Sequence, residues 1–185
     1  MERSVTENYM LKNMETSPDN YTQNWVLENT ADSISVVELG AGYFGKLSLV
    51  SENVIHKLGI EIFPEYIQHA RYADCVKILG NFLHYRNLID SKYFDTVLMI
   101  DALEHVTKEE AINLVKMLQE DFKKILLMIP LGNHPQKGNR NPHQEHKSSW
   151  TPEELVALKF DVVYIKNYHT SKHKDHGCAF AKWTR

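Results

Sequence analysis

The chain has 185 residues, 43% hydrophobic and 24% charged, with 8 glycines and 6 prolines, which suits one domain with a buried core and excludes a disordered or fibrous chain. Its formal charge of −3 argues against the broad basic surface that nucleic-acid backbones require. Two cysteines outside any Cys-x-x-Cys spacing exclude a disulfide framework, and the longest apolar run, 125–131, is far short of the roughly 20 residues that cross a bilayer. With no apolar signal core at the N-terminus, the expected location is the cytoplasm.

The elements follow in chain order. The first thirty residues carry Tyr9, Tyr21, Trp25, Val26 and Leu27 and are expected to include a helix packed on the sheet edge through Trp25. Apolar runs flanked by turn residues predict strands at 34–39, 57–62, 75–79, 94–100, 124–129, 160–165 and 178–183. Between them, Pro64 begins a short helix that turns Ile67 and Ala70 inward. Residues 107–122 have helical period, with Ala111, Leu114, Val115 and Leu118 on one face. Thr107 with Glu110, and Thr151 with Glu154, are capping boxes that fix two helix starts. Alternating strands and helices predict an α/β fold with a mostly parallel sheet, because parallel neighbours need crossovers that cover its faces. Residues 166–176 are polar and lack helical period, so the last two predicted strands should form an antiparallel pair.

Two stretches stand out for polarity. Residues 132–149 hold no hydrophobic side chain, an unusual length for a connection inside a domain and one typical of functional lids. This segment leaves the carboxyl end of the run 124–129, the edge where open α/β sheets bind ligands. Near the C-terminus Lys166, Lys172, Lys174, Lys182 and Arg185 stand against Asp175 alone, with His169, His173 and His176 among them. A solvated chain end accounts for that bias, and a nucleic-acid contact is the alternative.

The run Glu38-Leu39-Gly40-Ala41-Gly42-Tyr43-Phe44-Gly45 directly follows a predicted strand. Glycines there let the backbone turn tightly and approach a ligand. Glu61 follows Gly40 by 21 residues, at the end of the next strand, where a carboxylate can accept both ribose hydroxyls of an adenosine. The following strand region reads Phe94-Asp95-Thr96-Val97-Leu98-Met99-Ile100-Asp101-Ala102-Leu103-Glu104-His105-Val106. With these residues the sequence resembles the class I S-adenosylmethionine-dependent methyltransferases over residues 36–130. The resemblance implies a Rossmann-like, doubly wound, seven-stranded sheet, mostly parallel with an antiparallel strand at the C-terminal end. A nicotinamide oxidoreductase is disfavoured, because the sheet consumes nearly the whole chain and leaves no catalytic domain.

Residue by residue, the resemblance implies that Gly40, Ala41 and Gly42 line the methionyl part of S-adenosylmethionine, with Glu38 toward its ammonium group. It further places the ribose at Glu61 and Ile62, adenine between Gly80, Asn81 and Phe82, and the sulfonium end at Asp101, Ala102 and Leu103. Two departures are visible: Phe44 stands where the family commonly has a third glycine, and Asn81 where it has an acid. Methyltransferases with an Asn-Pro followed by acid, His and Trp, here Asn141-Pro142-His143-Gln144-Glu145-His146-Lys147-Ser148-Ser149-Trp150, place the His over the active site. His146 is therefore the expected base, oriented by Glu145 or His143, with His105 a further candidate. Asp95 is expected to set a turn. Metal ligation by His134, His143, Glu145 and His146 is the rival reading, disfavoured because no helix fixes their spacing. The expected organisation is a helical cover segment over 1–30 and a methyltransferase domain over 31–185 with its lid at 132–149. The expected acceptor is a small polar molecule, a sugar or natural-product intermediate, methylated on oxygen or nitrogen. Homodimerisation is compatible with the sequence, and neither a membrane nor a nucleic acid is the expected partner.

Overall fold

The structure, a computed structural model, describes residues 9–12, 18–132, 136–138, 140–171 and 174–185. Its strands are β1 (Tyr9–Lys12), β2 (Ser35–Leu39), β3 (His56–Glu61), β4 (Val76–Leu79), β5 (Thr96–Ile100), β6 (Lys124–Pro130), β7 (Asp161–Ser171) and β8 (Lys174–Thr184). They form one sheet in the order β1-β7-β8-β6-β5-β2-β3-β4. Every pairing is parallel except those of β8, which runs antiparallel to both β6 and β7. The seven expected strands and the reversed C-terminal strand are thus present.

The sheet also has an eighth strand, β1, paired in parallel with β7 at the sheet edge. Four residues are too few to show a period, and the edge position satisfies their backbone through one neighbour only. The polar stretch 166–176, expected to be a connection, instead extends the hairpin. His169 pairs with His176 and Ser171 with Lys174, beyond a register shift after Ile165. Ladder hydrogen bonds need no apolar side chain, so composition conceals such an extension. Lys172 and His173 lie outside the described residues, as do residues 1–8 and 13–17 of the N-terminal segment and His134 of the lid.

Helices cover both faces. On one face α1 (Pro18–Asn29) buries Trp25 and Val26, and Trp25 stacks edge-on against Phe180 of β8 with ring centroids 5.2 Å apart. Tyr21 makes a similar contact with Phe180 at 4.9 Å, so both aromatics pack on the sheet face. The short helix α2 (Pro64–Gln68) adds Ile67 to this layer, with Ala70 just beyond its end. On the other face α3 (Lys108–Asp121) buries Ala111, Leu114, Val115 and Leu118, and α4 (Pro152–Ala157) buries Leu155. Both capping boxes form as expected, with each threonine and glutamate bonded reciprocally to the helix start. Asp95 ties the amino ends of two strands together, its Oδ2 accepting from Ile34 N–H at 2.9 Å and Ser35 N–H at 3.2 Å. Among the described residues no helix is long and apolar enough to cross a membrane.

Candidate active site

From β2 the chain moves outward through β3 and β4 on one side, then returns to β5 and β6 on the other. The connections leaving β2 and β5 therefore diverge, and the crevice between them lies at the strands' carboxyl ends. A cavity of about 500 Å³ opens there, a size suited to a small organic ligand. Glu38, Gly40, Ala41, Gly42, Glu61 and Ile62 line it from β2 and β3, and Asn81, Phe82, Asp101, Ala102 and His105 line it from the connections after β4 and β5.

The turn after β2 needs glycine for two distinct reasons. Gly40 and Gly42 have φ of +76° and +52°, the left-handed region that other residues enter at a cost. A Cβ on Gly40 would also stand 2.8 Å from that of Ala102, whereas one on Gly42 would meet nothing within 4 Å. The amides of Gly40 and Ala41 donate to the Ile60 carbonyl at 2.9 and 3.0 Å, which holds the turn against β3. Phe44, in place of the family's usual third glycine, is itself left-handed (φ 62°) and fully buried. Its ring lies on Gly59, where a Cβ would be 2.5 Å from Phe44 Cε1, so the missing glycine of the turn is matched by one in β3.

Glu61 is nearly buried and receives two backbone donors, Gly42 N–H on Oε2 and Phe63 N–H on Oε1, both at 2.8 Å. An ionised carboxylate has about four acceptor sites, so capacity remains for two ligand hydroxyls. Glu38 is 1% exposed, and its Oε2 has no hydrogen-bond partner among the described residues. Burial drives its carboxyl well above the usual range, against the Lys46 ammonium and with a further push from Glu61. Asn81 caps the turn after β4 by accepting Leu83 N–H on Oδ1 at 2.9 Å, which leaves its second lone pair and its amide donors for a ligand.

Two expected cofactor residues lie outside the cavity lining. Gly80 donates its N–H to the Glu61 carbonyl at 2.9 Å and makes room for Leu88, whose Cδ1 would be 2.6 Å from an added Cβ. Leu103 is fully buried in the core. A tight 3₁₀ turn, Leu103–His105, causes this: it sends Leu103 inward while Ala102 and His105 line the cavity.

The lid is stitched to that turn. Lys147 and Ser148 donate their amides to the Glu104 carbonyl at 2.8 and 3.1 Å, and His146 N–H donates to the Gln136 carbonyl at 3.2 Å. Trp150, buried at the end of the segment, donates its indole N–H to Ser148 Oγ at 3.2 Å. These bonds bring His146 against His105, with ring centroids 5.0 Å apart, while His143, Gln144 and Lys147 line the cavity itself. Glu145 is exposed and acts through its backbone, its carbonyl lying 3.3 Å from His105 Nδ1. Burial holds the His105 imidazole below its usual pKa, opposed by the Glu145 carbonyl. Glu104 is 2% exposed, and burial, aided by the Asp101 carboxylate, pushes its carboxyl well above the ordinary range.

The sequence leaves Glu104 open between a pocket residue and one that merely caps and packs, although Leu-Glu-His-Val places it beside His105. It passes over Lys46, Tyr43, Tyr66 and Arg71, which line the cavity from the β2 and β3 connections. Tyr43 and Tyr66 touch at 4.3 Å between centroids, and the Arg71 guanidinium lies 5.0 Å over the Tyr43 ring. These residues have no spacing signature, because they meet only when the two connections fold together.

No protein-family model matches the chain, and no curated protein sequence matches it either. Solved structures do. The small RNA methyltransferase HEN1 superposes over 94% of this chain at a TM-score of 0.63 with 14% identity, this chain spanning 29% of that one. The N-methyltransferase NodS from Bradyrhizobium japonicum WM9 matches over 90% of this chain and 96% of its own, with a TM-score of 0.63 and 11% identity. The N-terminal domain of EvdMO1, solved with S-adenosylhomocysteine and D-fucose, matches over 92% and 83% at a TM-score of 0.60 and 15% identity. The strand order and the reversed last strand are accordingly those of the class I S-adenosylmethionine-dependent methyltransferase fold.

Proposed function

We propose that the protein is an S-adenosylmethionine-dependent methyltransferase that methylates an oxygen or nitrogen of a small polar acceptor, such as a sugar or natural-product intermediate. One observation carries this reading: a single cavity joins the glycine turn, the doubly bonded Glu61 carboxylate and the orphaned Glu38 oxygen. The donor set fits the cofactor. Glu61 has acceptor capacity for ribose hydroxyls, and an ammonium at Glu38 offsets the cost of a buried, unpartnered carboxylate. Asn81 and Phe82 flank the adenine.

Bound there, S-adenosylmethionine supplies a methyl group activated by its sulfonium. The chain's part is alignment and exclusion of water, since in-line displacement gains most from holding the reacting atoms near contact. Asp101 and Ala102 close the methyl end, with Asp101 held left-handed (φ 50°) by its N–H bond to the Met128 carbonyl at 3.0 Å. The acceptor enters beside His105 and the lid residues His143, Gln144 and Lys147. The acceptor loses its proton beside the cluster of Glu104, His105 and His146, in place of His146 acting alone as base. The polar lid supports a small acceptor.

Calorimetric titration with S-adenosylmethionine, S-adenosylhomocysteine and NAD tests the reading. Saturable binding of the first two is expected, and binding of NAD alone would overturn it. A nucleic-acid acceptor is the second reading, supported by Lys46, Arg71 and Lys147 around the cavity and by the likeness to HEN1. Salt-dependent binding of a single-stranded RNA oligonucleotide is expected under that reading only.

A further inference from the structure

We infer that Glu104, His105 and His146 form a binding site for one divalent transition-metal cation at the acceptor end of the cavity. Each offers a ligand atom, and the three atoms lie within 4.8 Å of one another. Metal–ligand bonds of roughly 2.0–2.2 Å need only a modest inward movement of the side chains.

Three observations converge on a cation between these groups. The first is the Glu104 carboxylate, buried and with its Oε2 unpartnered among the described residues. A buried charge is ordinarily paired or bound to metal. The second is the distance from Glu104 Oε1 to His105 Nε2, 3.8 Å, too long for a hydrogen bond. The carboxylate and imidazole face each other without bonding directly. The third is the other nitrogen of that ring. His105 Nδ1 lies 3.3 Å from the Glu145 carbonyl, so the proton belongs on Nδ1 and the Nε2 lone pair is left toward Glu104. Metal-binding histidines are commonly oriented by such a bond from the opposite nitrogen.

The lid completes the set. The amides of Lys147 and Ser148 grip the Glu104 carbonyl, which fixes His146 next to the 3₁₀ turn that carries Glu104 and His105. The expected rival set of four lid residues is thus replaced by one lid histidine joined to two residues that follow β5. Two imidazoles and a carboxylate suit Mn²⁺, Fe²⁺, Co²⁺ or Zn²⁺ better than Mg²⁺ or Ca²⁺, which favour oxygen-only sets. Three protein ligands leave positions open, and His105 lines the cavity, so an acceptor oxygen or nitrogen can enter them. Coordination lowers the pKa of a ligated hydroxyl, so that its proton is lost to solvent and the oxygen becomes the nucleophile without a ligand histidine acting as base. The proposal deepens the methyltransferase reading, but the ion site itself does not depend on it.

The test is titration of chelator-treated, buffer-exchanged full-length protein with Co²⁺, followed by its visible absorption, without S-adenosylmethionine. One equivalent is expected to bind, with Mg²⁺ unable to displace it at equal concentration. Glu104→Gln and His146→Ala should each weaken binding by about 100-fold or more, extrapolating from the 10–100-fold cost of losing an outer partner. His84→Ala, at an exposed histidine outside the cluster, should leave binding unchanged. Circular dichroism checks folding, and His146→Ala, in the lid, keeps the test open if the buried Glu104→Gln variant does not fold. Absence of Co²⁺ binding by the wild type, or wild-type affinity in folded His146→Ala, overturns the site. Failure of S-adenosylmethionine to bind in a separate titration would instead overturn the methyltransferase reading.

Discussion

Replacing Gly40 and Gly42 one at a time by alanine separates backbone strain from close approach. Both residues are left-handed, so each alanine carries a strain of about 1–2 kcal/mol. At Gly40 the new methyl also lies 2.8 Å from Ala102 Cβ and 3.6 Å from the Phe82 ring, where carbon atoms normally sit about 3.5–4.0 Å apart. Ala102 is buried and has no rotamer by which to withdraw, so the connections after β2 and β5 must separate. Overpacking of this kind adds about 1–3 kcal/mol. Gly40→Ala should therefore lose about 2–5 kcal/mol of stability and Gly42→Ala about 1–2 kcal/mol. The functional order differs. Gly42 has open space around it within the cavity lining, so its methyl occupies room the cofactor needs, and affinity for S-adenosylmethionine should fall even though the fold is little affected. Urea denaturation reads the first quantity and calorimetry the second. Equal stability losses would refute the close approach, and wild-type cofactor affinity in Gly42→Ala would refute the placement of the methionyl group.

Glu61→Ala should lower S-adenosylmethionine affinity at least about tenfold, the equivalent of 1.4 kcal/mol, by removing the ribose acceptor and releasing the Gly42 and Phe63 amides; an unchanged calorimetric affinity would place the ribose elsewhere. The Glu38 carboxyl, facing Lys46 and Glu61, has its folded pKa raised above the ordinary 4.5, so the stability linked to its proton is present below that value and is lost as pH rises through the folded pKa. Cofactor-free Glu38→Gln should therefore gain stability over the wild type as pH rises from about 5 to 8, by up to about 1.4 kcal/mol per unit until the carboxyl ionises. The same variant should bind S-adenosylmethionine more weakly, and a pH-independent stability difference in urea would show that the carboxyl is not buried. Tyr85→Phe removes the hydroxyl that donates to Asp121 Oδ2 at 2.6 Å and should cost about 1–2 kcal/mol in thermal or urea unfolding. No loss would mean that Arg86, which donates to both oxygens of Asp121 at 2.8 and 2.9 Å, satisfies it unaided.

Much of the frame was legible because its signals are local. Thr107 and Glu110 sit three apart and need only one helical turn to meet, and Glu38, the glycines and Glu61 lie at strand ends that the apolar runs mark. The acceptor end was less legible, since its contacts cross long stretches of chain. His105 and His146 are 41 residues apart in sequence, and their meeting depends on two lid amides finding the Glu104 carbonyl, which no side-chain pattern encodes. Glu104 could equally be a pocket residue or one that caps and packs, because burial cannot be read from a carboxylate's identity. Leu103, by contrast, was assigned to the pocket through the resemblance, although its own apolar character pointed to the core. The extension of β7 and β8 was hidden because its pairing rests on backbone groups.

The unpaired buried atoms connect the two halves of the site. Among the described residues, four buried side-chain atoms lack a partner: Glu38 Oε2, Asp95 Oδ1, Glu104 Oε2 and Asn141 Nδ2. Asp95 accepts the Ile34 and Ser35 amides through its other oxygen and Asn141 accepts the His143 amide through its side-chain oxygen, so their position is held by the bonds they do make. The side-chain oxygens of Glu38 have no comparable anchor, and those of Glu104 have a contact with the residue's own backbone amide and the long approach to His105, with Oε2 left over. Both stand where a ligand is proposed, one at the methionyl end of the cavity and the other at the acceptor end. A protein that strands a carboxylate in its interior loses stability unless positive charge arrives with the ligand. Under the two proposals the crevice takes two cations of different chemistry, an ammonium at Glu38 and a metal ion at Glu104.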